Sequence, residues 1–134
     1  RAQGRIRRSG QSLGSPLLMR SIVELLIDAR DYARRASDFV KNGGYSAFAA
    51  DRLRQDAVCF CLVVIGEACG QAARQMLMLR PEYPSSAIKA MRNILVHEFW
   101  QIDLAIIYNI AHDDAVLLAD DLDRLIKQLS SAET

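Results

Sequence analysis

Cysteine and histidine are scarce in this chain, and strand-like patterning is missing from it. Its three cysteines, Cys59, Cys61 and Cys69, are odd in number and sit in an apolar segment. Thiols two residues apart on a helix point to nearly opposite sides, so no disulfide framework is expected. They read as buried, reduced thiols acting as small hydrophobes, which points to a cytoplasmic protein. Long apolar runs are also missing: the longest unbroken one, Ala57 to Ile65, falls well short of the roughly 20 residues that span a bilayer. No membrane partner is therefore expected. The positive stretch from Arg1 to Ser15 is not followed by the apolar segment and small-residue cleavage site of a signal peptide. No stretch alternates with period two between turn signals, and no repeat of about 20 to 50 residues recurs.

What remains is an ordinary soluble composition. Of 134 residues, 51% are hydrophobic and 25% charged, enough for one domain that buries roughly two-thirds of its unfolded surface. The net charge of +1 hides an asymmetry, because Arg1, Arg5, Arg7 and Arg8 face no acid in the same stretch. From residue 9 onward, 13 basic side chains meet 16 acidic ones, a balance of −3. Such a domain cannot coat a long duplex, which takes several phosphate-neutralising cations, so any nucleic-acid contact should be local. Residues 1–14 read as a basic, disordered leader, and residues 15–134 as a single domain.

Helical periodicity organises that domain. Ser15 and Pro16 offer an N-cap and a first helical position, and Leu18, Ile22, Leu25, Ala29, Tyr32, Ala36 and Phe39 step by fours and threes toward Val40. Asn42, Gly43 and Gly44 end that helix. Ser46 is expected to cap one turn through Phe48, and a long helix, apolar on every side at its centre, should run from Asp51 to Leu79 as the central element. Arg52, Asp56, Glu67 and Arg74 fall near one line along it, as a solvated, ion-paired edge or an interface strip. Pro81 and Pro84 break the chain. Ser85 or Ser86 should cap a third helix to about Phe99, and Asp103 a last one that His112, Asp113 and Asp114 kink. The fold class is all-α: an antiparallel up-and-down bundle of four to five helices.

Chemistry gathers on the third helix, in Met91-Arg92-Asn93-Ile94-Leu95-Val96-His97-Glu98-Phe99-Trp100. At about 100° per residue, Ile88, Met91, Leu95, Phe99 and Ile102 make its core side and His97 projects away. Asn93 and His97, four apart, can meet on that outer face beside Trp100. Arg92 stands about 140° around the axis, so one straight helix should hardly aim both Arg92 and His97 at one phosphate. A cleft, or a second protomer across a two-fold axis, would reconcile them, which suggests a homodimer. Cutting RNA by attack of the 2′-OH needs a proton-moving group and a cation on the phosphorane, and imidazole and guanidinium suit those tasks without a metal or cofactor.

Further motifs carry a family resemblance: Leu-Arg-Gln-Asp-Ala at 53–57, Ile-Gly-Glu-Ala at 65–68, Tyr83-Pro84, Met-Arg-Asn then Val-His across 91–97, and Ile102-Asp103-Leu104. From Leu18 to Leu129 the chain resembles HEPN domains of the HepT-like toxin type. The resemblance implies a dimeric helical bundle whose inter-protomer cleft holds both motifs, and RNA cleavage that halts growth. Arg92 would bind phosphate or stabilise the transition state, Asn93 position it, and His97 act as acid or base. The implied partners are RNA, a second copy, and a minimal nucleotidyltransferase antitoxin. Family members often carry Tyr two residues after the His, where the antitoxin attaches AMP, but this chain has Phe99.

The alternative is a noncatalytic helical module that partners a nucleotidyltransferase. Trp100 could stack on an RNA base or fill an interface. His112, Asp113 and Asp114 point in diverging directions, so a helix-capping role is favoured over metal binding.

Overall fold

Ser21 opens the first described helix of the computed structural model, which describes residues 20–132. Its hydroxyl accepts from the Glu24 N–H at 3.1 Å, and the Glu24 carboxylate accepts from the Ser21 N–H at 2.9 Å. This reciprocal cap starts α1 (Ile22–Phe39). The expected start at Ser15 and Pro16 and the basic leader lie outside the described residues. Arg20 and Ser21 are nonhelical, so α1 does not run on from Pro16: Ser21-x-x-Glu24 satisfies two helix-end donors, whereas three residues after Ser15 stands Leu18, which can return nothing.

α1 buries Leu25, Leu26, Ala29, Ala33 and Ala36, a wider arc than the narrow stripe expected, because it is covered from two sides, by the third and the last helices. Phe39, placed on that stripe by its spacing, is exposed instead. Gly43 and Gly44 take left-handed φ values of 87° and 66°, which non-glycine residues avoid. α2 (Gly44–Ala49) follows at once, so Ser46 lies inside it rather than capping it. Asp51 accepts from the Arg54 N–H at 3.1 Å and starts α3 (Arg52–Leu79).

α3 is long and apolar enough to cross a membrane by length and composition. Here Val58, Leu62, Ile65 and Met76 are buried in the bundle, against α1 and the next helix, while Leu53, Phe60 and Met78 face out. α1 and α3 are thus each covered by two long helices. α4 (Ser85–His97) begins after Pro84 with no side-chain cap. The Ser85 N–H donates to the Tyr83 carbonyl at 2.8 Å, so a backbone turn serves where a serine cap was expected.

α4 stops at His97, and a single 3-10 turn, Phe99–Gln101, follows. The 100° projection no longer applies past that point, and Phe99, placed on the core side by it, is 67% exposed. Leu95 is buried, with Ile88, Met91 and Ile102 packed partly against the core. Asp103 caps α5 (Leu104–Asn109), accepting from the Ala105 N–H at 2.9 Å. A π-helical stretch, Ile110–Asp114, links α5 to α6 (Ala115–Ala132), so His112, Asp113 and Asp114 sit in an irregular turn of one long helix, as the sequence suggests.

The result is an all-α bundle of four main helices. Arg30 donates to Asp123 at 2.8 Å, tying α1 to α6, and Arg80 at the end of α3 pairs with Asp121 of α6. Among the described residues no charged side chain is buried. Cys61 and Cys69 are buried and Cys59 half-buried, all as free thiols. Burial pushes all three thiols up, which leaves them poor nucleophiles.

Candidate active site

α3 and α4 meet where Gly66 faces Arg92. A methyl group at Gly66 would lie 2.5 Å from the Arg92 Cβ and 2.9 Å from its Cγ, so only glycine lets the arginine stem cross α3 here. The next residue, Glu67, accepts from the Arg92 Nε in an ion pair. Gly66 and Glu67 thus act together: one clears the path of the guanidinium and the other fixes its near edge. Arg92 is left 27% exposed at the side chain.

With the near edge fixed, the far edge turns along α4. Arg92 Nη1 donates to the Asn93 Oδ1 at 3.1 Å and stands 3.4 Å from the His97 Nε2. One protomer therefore brings Arg92 and His97 together, against the expectation drawn from their 140° separation. Two features explain it. The arginine stem is long enough to lean along the axis, and α4 ends at His97, so no further turn screens the ring. Asn93, expected to meet His97, gives its oxygen to Arg92 instead.

Guanidinium can only donate, so the Nε2 facing it can serve this contact only as an acceptor. A lone pair 3.4 Å from a fixed cation is a proton acceptor placed beside an anion-binding group. An oxyanion drawn to Arg92 would arrive next to a base.

Beyond His97 the 3-10 turn presents Phe99 and Trp100, edge to face with centroids 5.6 Å apart. Trp100 is 68% exposed in the single chain. Val96 and Ile94 are exposed beside them. His112 lies apart from this site, stacked on Tyr108 with its Nδ1 2.7 Å from Asp113. Among the described residues no three His, Cys, Asp or Glu side chains group as metal ligands.

Sequence reasoning named Arg92, Asn93 and His97, and the fold assembles all three. It missed the parts played by Gly66 and Glu67. The signal was present in the Ile-Gly-Glu-Ala run, because a glycine inside a long helix marks a close approach and its acidic neighbour a counter-charge.

Comparisons with known proteins place the chain among ribonuclease-like proteins. The HepT-like family model, described as Ribonuclease HepT-like, matches residues 29–129. Among similar proteins is one from Methanocaldococcus jannaschii named "Putative RNase MJ1216", 25% identical over 85% of this chain and 94% of its own. A second from that organism, "Putative RNase MJ0125", is 26% identical over 82% of this chain and 95% of its own. "Probable ribonuclease HepT" of Thermococcus cleftensis is 26% identical over 82% of this chain and all of its own. No solved structure matches the chain.

Proposed function

The chain belongs to the HepT-like ribonuclease family, and on that premise we propose that it is a HepT-like toxin, an RNA endonuclease that works without a metal through Arg92 and His97. The observation that carries this reading is the 3.4 Å approach of Arg92 Nη1 to His97 Nε2 within one chain. His97 Nε2 takes the proton of the ribose 2′-OH, whose oxygen attacks the adjacent phosphorus. Arg92 draws in the non-bridging oxygens and offsets the charge that builds on them. The O2′–P bond forms as the P–O5′ bond breaks, and O5′ takes a proton from the imidazolium or from water. The products are a 2′,3′-cyclic phosphate and a 5′-OH. DNA, lacking the 2′-OH, is not cut.

Glu67 and Asn93 are positioning residues in this scheme, because each touches Arg92 rather than substrate. The exposed Val96, Phe99 and Trp100 support a homodimer whose contact runs beside the site, since exposed apolar patches usually mark contacts. A nucleotidyltransferase antitoxin and a cytoplasmic setting complete the reading. The test is incubation of the purified chain with cellular RNA in excess chelator, followed by end-group analysis. Fragments ending in 2′,3′-cyclic phosphate are expected. Intact RNA from every folded preparation would instead favour a noncatalytic module that partners a nucleotidyltransferase.

A further inference from the structure

Next to the Arg92–His97 pair, α3 and α4 part. At Gly66 they are so close that a methyl group would strike Arg92, yet one turn along at Gly70 a methyl group would meet nothing within 4 Å. The splay leaves a cleft of about 400 Å³, lined by Gly66, Glu67, Gly70, Lys89, Arg92 and Asn93 among others. The charges in it are unevenly engaged. Glu67 is occupied by Arg92, whereas Lys89 has no ion-pair or hydrogen-bond partner among the described residues. Lys89 is three residues before Arg92, about 4.5 Å along the axis and on a neighbouring face. The cleft thus offers one uncommitted ammonium beside the guanidinium that marks the cut.

We propose that this cleft is a subsite for the RNA phosphate adjoining the one that is cut, with Lys89 as its cation and Gly70 as the gap that admits it. The proposal rests on the cleavage reading above and extends it to how the strand lies. A single strand held at Arg92 runs on past Lys89, so the strand is gripped at two successive phosphates and its register over His97 is set by backbone, not by base identity. The wall at Gly70, with no side chain and nothing within 4 Å of where one would start, suits a sugar-phosphate chain.

The binding test uses the full chain and a 2′-O-methylated oligouridylate, which cannot be cut. Its affinity is measured across a range of salt concentrations. Each phosphate contact on a single strand contributes about 0.7 to the slope of log affinity against log salt. Lys89→Gln should reduce the slope by about that amount, while Lys41→Gln at the α1–α2 turn, paired with Asp38, should leave it alone. Gly70→Leu should project into the cleft, weaken binding several-fold and melt no lower than the native chain, because leucine favours a helix interior over glycine. An unchanged slope in Lys89→Gln, an equal drop in Lys41→Gln, or native affinity in Gly70→Leu would overturn the subsite. RNA that is cut while Lys89→Gln keeps the native slope removes the subsite and leaves the cleavage reading standing. A Lys89-dependent slope in a chain that cuts no RNA does the reverse.

Discussion

At the residue scale, the position of one guanidinium depends on two neighbours that do no chemistry themselves. Gly66 has no room for a side chain, since the first atom of one would overlap the Arg92 Cβ, which cannot swing aside. Gly66→Ala should therefore cost about 1–3 kcal/mol through overpacking, even though alanine suits a helix better than glycine. Thermal denaturation measures the loss, and a Tm at or above the native value would show that α4 shifts freely. Glu67 is different. Its pair with Arg92 is part-exposed on both sides, so it is worth no more than about 1 kcal/mol of stability. Glu67→Gln should melt nearly as the native chain does, yet lower kcat/KM for RNA by about tenfold or more, the worth of a charge-assisted hydrogen bond that aims Arg92. A large drop in Tm with unchanged activity would assign Glu67 a structural role.

At the scale of elements, the helix ends decide what the site looks like. Apolar periodicity made α3, α4 and the bent α5–α6 helix legible from sequence, α3 begins next to Asp51 as expected, and Asp103 caps where expected. The end of α4 was not legible. Helical projection carries Phe99 onto the core side only if the helix continues, and nothing local in His97-Glu98-Phe99 breaks a helix as proline or glycine would. The same error hid the Arg92–His97 contact, because an angle around an axis ignores how far an arginine stem reaches. The tie between α1 and α6 has a pH signature. Hydrogen bonds from Lys127 and then Arg30 hold the Asp123 carboxyl below its ordinary range. A depressed carboxyl stabilises the fold above the ordinary carboxylate range, and that contribution is lost as pH falls through its folded value. Asp123→Asn should lower Tm at neutral pH and flatten the decline of Tm in acid; equal Tm losses at every pH would contradict this.

At the scale of the whole molecule, Arg92 and His97 already meet within one chain. A dimer would add binding surface through Val96, Phe99 and Trp100 rather than supply a missing catalytic group. Mixing Arg92→Ala and His97→Ala protomers should accordingly restore no RNA cleavage, and substantial rescue would show that the residues act across an interface. Control by a nucleotidyltransferase partner should also take a particular form. Phe99 offers no hydroxyl, and Tyr108 on α5 is engaged with Tyr45, Phe48 and His112. On the proposed pairing with a nucleotidyltransferase, occlusion of the cleft would replace AMP transfer at that position. Intact mass after co-expression with the partner should be unchanged, and an added AMP mapping to residues 92–108 would refute occlusion.

The central claim is that Arg92 and His97 of one chain cut RNA together. It is tested most directly by kcat/KM for one RNA in excess chelator, compared between the native chain, His97→Ala and Arg92→Lys, each with native helical content. Loss of the proton acceptor should lower the rate by about 10²- to 10⁴-fold. Arg92→Lys should lose about 10²-fold or more despite keeping its charge, because a single ammonium nitrogen lacks the planar fork whose Nε meets Glu67 while Nη1 meets Asn93. Native rates in His97→Ala would contradict the account.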